Sequence, residues 1–446
     1  MANYQYALFT DVVAALSRRL YDPTNQQWTV AELTAILIES LRTWNALSQF
    51  WRQDFTFNLA LNTWWYDLRG VSGSLIPCTV AQYDIITKIQ NHLLEPPTPA
   101  AWSGSSQYSL ADILQACQRR QDETLGTTAC TIVRSLVNAP LVSRRTVLPD
   151  TTIDIRRVAW LPTSGGYTNK ILVQSDNWAT RAYNSGYAQA GQIPPSKWMQ
   201  NTEPPPSFDT DSVPPVNGQY DLLTTQGGGA WVQGANATLS TMPTDWSWVF
   251  TFGALADLFS RDSLAEDKLR ASYCRARYKE GLALMRMMPV LLDFRLNDVP
   301  MSVGALTGGD RYNATWQAQA AGPPTSIYTF MNLMAVAPMP DSSVAYGAKA
   351  TVCRNIDVSQ TYVQVPRDDL DTVIDYAQHL AKLKQGGQEF YGTVPLYQNL
   401  QRKCAQYNGK LKEMGFFEIP QLELSTLEES ARNPRYIKGS GPSADN

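Results

Sequence analysis

Charge is scarce in this chain. Asp, Glu, Lys and Arg make up 17% of its 446 residues, against roughly 25% in ordinary soluble domains. The 37 basic and 40 acidic side chains leave a formal charge of −3, so no basic excess argues for long-range attraction to nucleic acid or an acidic lipid surface. Histidine is scarcer still. His92 and His379 are the only two, and neither stands in a Cys, Ser or Asp arrangement that marks a catalytic centre. The six cysteines, Cys78, Cys117, Cys130, Cys274, Cys353 and Cys404, lie far apart with no C-x-x-C pair, which excludes zinc and thioredoxin-like spacings. Cys117, Cys274 and Cys404 fall inside helical patterns and read as small buried apolar residues.

Long apolar runs are missing too. Met1 to Leu20 carries Asp11 and has no basic segment leading into an apolar stretch, so it does not read as a secretory signal, and a non-secreted chain is expected. The greasiest stretches, Leu282 to Leu292 with Arg286 inside it and Phe330 to Met339, are too short to cross roughly 30 Å of hydrocarbon. Gly227-Gly228-Gly229 leads into Ala230 and Trp231 and lacks the Lys-Ser or Lys-Thr of a phosphate-binding loop. Asp368, Asp369 and Asp371 sit where a helix begins; there they answer free backbone amides and the helix dipole. No cofactor or metal is expected.

Aromatics are plentiful, with 13 Trp and 21 Tyr. A surface short of charge is explained either by Gln, Asn, Ser and Thr or by aromatic faces buried against partner subunits, since interfaces enrich Tyr, Trp and Met and deplete Lys and Glu. Composition favours the second explanation.

The periodicity predicts an α+β fold with an N-terminal helical bundle, a β-rich middle region, two αα-hairpins and an extended C-terminal tail. The expected divisions are 1–146, 147–244, 245–365, 366–414 and 415–446. An amphipathic helix spans about Asp11 to Leu20. Thr29-Val30-Ala31-Glu32 is a capping box, with Trp28 and Leu33 as its hydrophobic staple, starting a helix to about Leu47. Phe55, Phe57, Leu59 and Leu61 alternate as a strand threaded through this region. Further boxes at Thr79-Val80-Ala81-Gln82 and Ser109-Leu110-Ala111-Asp112 are expected to start helices over 80–94 and 110–136. From Val147 to Ser240 short alternating runs between Pro and Gly clusters predict strands and loops. Helical pattern resumes over Asp245 to Phe259. A fourth box, Ser263-Leu264-Ala265-Glu266, leads to about Met288. Leu291 to Pro300 and Ser342 to Gln364 read as strands, with Tyr346, Ala348, Ala350 and Val352 alternating in the second, and a short helix is expected near Ile327 to Met334. Leu370, Val373, Ile374, Ala377 and Leu380 precede Gly386-Gly387, and Leu396, Leu400, Cys404, Tyr407 and Leu411 follow it, as the second hairpin.

The chain resembles head-to-tail adaptor, or neck, proteins of tailed-bacteriophage virions. The likeness rests on Phe9-Thr10-Asp11-Val12-Val13, Leu20-Tyr21-Asp22-Pro23, Trp28-Thr29-Val30-Ala31-Glu32-Leu33, Leu41-Arg42-Thr43-Trp44-Asn45-Ala46-Leu47 and Thr63-Trp64-Trp65-Tyr66-Asp67-Leu68. Phe252-Gly253-Ala254-Leu255-Ala256-Asp257-Leu258, Tyr273-Cys274-Arg275-Ala276-Arg277-Tyr278 and Val394-Pro395-Leu396-Tyr397-Gln398-Asn399-Leu400 extend it toward larger phage structural proteins.

The resemblance implies a non-enzymatic virion component, assembled in the host cytoplasm and located in the neck. It would form a ring of its own copies, commonly a dodecamer, docked beneath the portal protein and meeting tail or nozzle proteins. DNA would pass through its lumen without sequence-specific binding, and no membrane is involved. Within the tail, Tyr436 and Ile437 are expected to fill a pocket on a neighbouring ring with Arg432, Arg435 and Lys438 around it. The dibasic pairs Arg119-Arg120, Arg144-Arg145 and Arg156-Arg157 are expected in surface or interface salt bridges rather than on DNA. A tail hub or collar without portal contact, and a wall-degrading hydrolase, remain the other readings.

Overall fold

Some of the helices begin where short polar side chains replace missing backbone partners. The computed structural model describes residues 6–68, 80–94, 107–176, 192–201, 203–231, 238–239, 243–262, 266–287, 291–313, 315–409 and 411. Helix α1 (Phe9–Arg19) carries Asp11 in its first turn and Arg18 and Arg19 in its last, the charge order that suits the helix dipole. Helix α2 (Val30–Ser48) starts on the expected box: the Thr29 hydroxyl accepts from Glu32 N at 3.2 Å, and the Glu32 carboxylate accepts from Thr29 N at 2.9 Å. Helix α3 (Gln82–Leu93) follows. Helix α4 (Leu110–Thr128) repeats the reciprocal cap with Ser109 and Asp112.

Several expected boundaries move. Val80–Ala81 is a strand paired with Thr238–Leu239, so α3 opens at Gln82, and Thr79 lies outside the described residues. Helix α4 stops at Thr128, where Ala129 turns left-handed (φ 50°). The predicted continuation to 136 is replaced by a strand at Val133–Asn138, because Thr131-Ile132-Val133 brings β-branched side chains that favour extended backbone.

A 3₁₀ turn (Thr244–Trp246) leads into α5 (Trp248–Phe259). Helix α6 (Lys268–Met287) has a cap at Asp267, whose carboxylate accepts from Arg270 N at 2.9 Å; Ser263, Leu264 and Ala265 of the predicted box lie outside the described residues. A short α7 (Leu306–Tyr312) is followed by α8 (Arg367–Leu383), α9 (Gly387–Tyr391) and α10 (Val394–Tyr407). Helices α5 and α6 pair closely, as do α8 and α10; these are the two hairpins. Gly253 and Gly281 let α5 and α6 approach: a methyl group at 281 would stand 2.7 Å from a Val249 methyl, and one at 253 would stand 2.9 Å from the Tyr278 ring.

The helices share one apolar core drawn from three distant stretches of chain. Leu16, Leu37 and Trp44 meet Phe250, Leu255 and Tyr273, and both groups meet Ile374, Leu380 and Leu400.

Among the described residues, four four-stranded sheets stand beside the short ladder of Val80–Ala81 with Thr238–Leu239. Sheet I runs Arg52–Asn58, Gly347–Cys353, Leu291–Leu296, Val299–Pro300, all antiparallel, with Ala348, Ala350 and Val352 alternating inward as predicted. The strand expected to thread the N-terminal helices therefore pairs far down the chain. Sheet II runs Val303–Ala305, Ser326–Phe330, Leu333–Ala337, Trp65–Asp67. The predicted helix at 327–334 is a hairpin inside this sheet, turning at Met331 (φ 52°). Leu333–Ala337 is buried at every position, and such an uninterrupted apolar run carries no period that separates strand from helix. Sheet III (Val133–Asn138, Gly218–Gln226, Thr152–Pro162, Lys170–Ile171) and sheet IV (Arg145–Val147, Ser207–Thr210, Lys197–Asn201, Val173–Gln174) enclose Trp160, Trp198, Phe208 and Tyr220. Among the described residues, no helix is long and apolar enough to cross a membrane.

Candidate functional site

The groups with most chemical capacity are gathered inside, at the joints between elements. Arg277 on α6 is 1% exposed. Its guanidinium donates to Glu280 at 2.7 Å and to the Tyr376 hydroxyl at 2.9 Å, and lies 3.5 Å over the Tyr397 ring. Glu280 also accepts from Tyr397 and Gln401 of α10. One buried ion pair thus joins α6, α8 and α10. The spacing of Tyr273 and Arg277, one turn apart, places a cation on the apolar stripe of α6, a signal visible in the sequence that the stripe alone hides.

His379 closes the same joint. The Thr393 hydroxyl donates its one hydrogen to Phe390 O at 2.6 Å, so at 2.8 Å from His379 Nδ1 it acts as acceptor and Nδ1 carries the proton. Nε2 then accepts from the Tyr273 hydroxyl at 2.6 Å. Burial, with Arg277 nearby, pushes the imidazole down to about 3, and His379 is a neutral structural link at physiological pH. His92 is likewise lowered to about 4 by burial.

A second joint ties the β region to sheet II. Asp221, fully buried, accepts from Arg134 Nε at 2.7 Å, Trp65 Nε1 at 3.0 Å and Gln317 Nε2 at 3.3 Å. Arg157 pairs with Asp310 at 2.7 Å and reaches Gln317. The dibasic pairs contribute salt bridges within the chain, several of them at the surface as expected. Arg119 and Arg120 both bind Asp257 of α5, Arg145 binds Asp209 and Arg156 binds Asp154. The triple glycine is packing as well: Gly228 N donates to Asp122, and a side chain at 228 would overlap Gln121. Asp369 is buried beside Lys403, and Asp371 pairs with Arg19. Cys117, Cys274 and Cys404 are fully buried, as the helical pattern predicted, and burial raises all three thiols.

A third joint holds Asp245. Its carboxylate accepts from Asn45 Nδ2 at 2.6 Å and Ile356 N at 3.0 Å, and burial outweighs these bonds and the nearby Arg42 to push it up to about 7.

The surface is where apolar groups remain unused. Val142, Tyr21, Tyr312 and Val344 are each more than four-fifths exposed. Between α1 and the start of α2 lies an open groove of about 400 Å³, formed by Phe9, Val13, Pro23 and Val30 with Arg18 at its side. Its floor is fixed by Asp22, which accepts from Gln26 N, Gln27 N and Trp28 N at 2.8–2.9 Å. Those amides, that of Trp28 foremost, hold the Asp22 carboxyl below its usual value. Asn25, left-handed at φ 53°, lines the groove with its Oδ1 shielded from solvent and without a partner. Composition alone gives no hint of this groove; only the fold brings Phe9 and Val30 together.

The residues expected to bind a neighbour, Arg432, Arg435, Tyr436, Ile437 and Lys438, lie outside the described residues, as does Cys78. No protein-family model matches the chain. No curated protein matches it either.

Proposed function

We propose that this chain is a structural virion protein whose copies close into a neck ring between the portal of the head and the tail, continuing the DNA channel. The observation that carries the reading is the distribution of side chains. Arg277, Asp221, Asp245 and His379 are engaged at internal joints, while large apolar groups such as Tyr21, Val142, Tyr312 and Val344 stand exposed on a chain poor in charge. Such exposed apolar groups are available for association between copies, and a ring offers each copy the same heterologous contact on both sides. The sequence likeness to adaptor proteins supplies the location, and the near-zero net charge suits a lumen through which DNA must slide without salt-sensitive attachment.

The test is electron imaging of assembled particles together with sedimentation of the purified chain. A closed ring adjoining the portal is the expected result. A ring lower in the tail would move the protein to the hub or collar. A stable monomer absent from intact particles would end the ring reading.

A further inference from the structure

We propose that the groove between α1 and α2 is the seat of this chain's own segment Ile419–Leu424. This seating does not depend on ring formation.

The groove is built as a receptor. Phe9, Val13, Pro23 and Val30 supply apolar walls, and Val30 is 55% exposed at the start of a helix whose other apolar residues are mostly covered. Arg18 lines it, and among the described residues Arg18 makes no ion pair, whereas its neighbour Arg19 is bound by Asp371 and Asp375. Asn25 adds an acceptor without a donor. The occupant called for is therefore apolar, carries negative charge and brings a backbone N–H.

The chain beyond Leu411 contains one such stretch. Ile419-Pro420-Gln421-Leu422-Glu423-Leu424 combines three large apolar residues with one carboxylate and no cation. The later stretch from Arg432 to Lys438 carries three cations and would meet Arg18 with like charge.

Reach agrees. The described chain ends beside the C-terminal end of α2, where Asn408 Nδ2 donates to Leu47 O at 2.9 Å and Leu411 is 1% exposed. From Leu47 back to Val30 the helix axis covers ~26 Å at ~1.5 Å per residue. The connection from Leu411 to Ile419 can extend to ~28 Å at most, so Ile419 reaches the groove and Leu422 and Leu424 have slack to settle in it. Tethering by the same chain gives the segment an effective concentration that a separate copy matches only at high density.

The test uses the full chain with two added thiols, Val30→Cys with Leu422→Cys, bridged by a short bismaleimide in an equal mixture of light and ¹⁵N-labelled protein and mapped by mass spectrometry. The expected product links positions 30 and 422 within one isotopic form, with a yield unchanged on dilution. A control pair, Val30→Cys with Tyr436→Cys, links less. Arg18→Glu, at an exposed position that makes no ion pair among the described residues, lowers the 30–422 yield by roughly two- to five-fold, the size of an exposed charge contact. Adding Glu423→Arg restores it. Links of mixed isotopic form would assign the groove to a neighbouring copy and overturn the proposal. So would equal yields from the two thiol pairs, or a yield indifferent to Arg18→Glu.

Discussion

The buried Arg277–Glu280 pair gives the sharpest quantitative expectation. Arg277→Met keeps the length and apolar stem of the side chain while removing the 2.7 Å ion pair, the 2.9 Å bond to Tyr376 and the cation over Tyr397. Breaking a buried pair by deleting one partner costs about 3–5 kcal/mol, because the other charge is left buried. Here Glu280 retains donors from Tyr397 and Gln401, which places the loss near the lower end, at about 3 kcal/mol. Urea unfolding followed by tryptophan fluorescence reads this directly, since Trp248 lies 4.8 Å from the guanidinium. The double variant Arg277→Met with Glu280→Gln, which removes both charges together, is expected to recover at least half of the loss. A single variant within about 1 kcal/mol of the parent, or a double variant no better than the single, would refute the view that this pair locks α6 to α8 and α10.

Four other outcomes follow from the same geometry. Asp245 has an ordinary value of 3.8 and is raised to about 7 in the fold; stability from its protonated form is therefore full below pH 3.8 and is lost as pH rises through 7. Asp245→Asn should flatten that decline and stabilise the protein at pH 8 relative to the parent, as thermal melts across pH 4 to 9 would show. Gly281→Ala gains about 1 kcal/mol in helix propensity but drives a methyl against Val249; a net loss of about 1–2 kcal/mol is expected from overpacking, checked by the denaturation midpoint. Asp221→Asn sets an amide among three donors and should cost about 2–4 kcal/mol, seen as a lowered melting temperature. Cys117, Cys274 and Cys404, buried with raised pKa, should resist a thiol reagent in the native protein and react once it is denatured.

Local signals were legible where the chain itself supplies the missing partner. The boxes at Thr29 and Ser109 set the starts of α2 and α4 because the cap lies within four residues. Alternation revealed Gly347–Cys353 because one face is buried and the other half open. The hairpin at 326–337 was hidden because neighbours cover Leu333–Ala337 on both faces and erase its period. Helix α4 was overrun because the left-handed turn at Ala129 carries no glycine to announce it. The partners at Arg277, Asp221 and Asp245 were hidden for another reason: although the cation on the α6 stripe is visible, each joint draws on distant stretches of chain, such as Asp245 with Asn45, and no local pattern encodes such meetings.

The way the helical core is recruited has a consequence for biosynthesis. Sheets III and IV use strands from Val133 to Gln226 alone, so that part can form as soon as it leaves the ribosome. The helical body cannot. Ser40 of α2 donates to Val373 O, and Cys404 of α10 to Trp44 O, so its first helices wait, half-covered, for the last ones to be translated. Closing loops of that length is slow. Throughout synthesis the aromatic faces of α1 and α2 are the ones a chaperone would have to shelter.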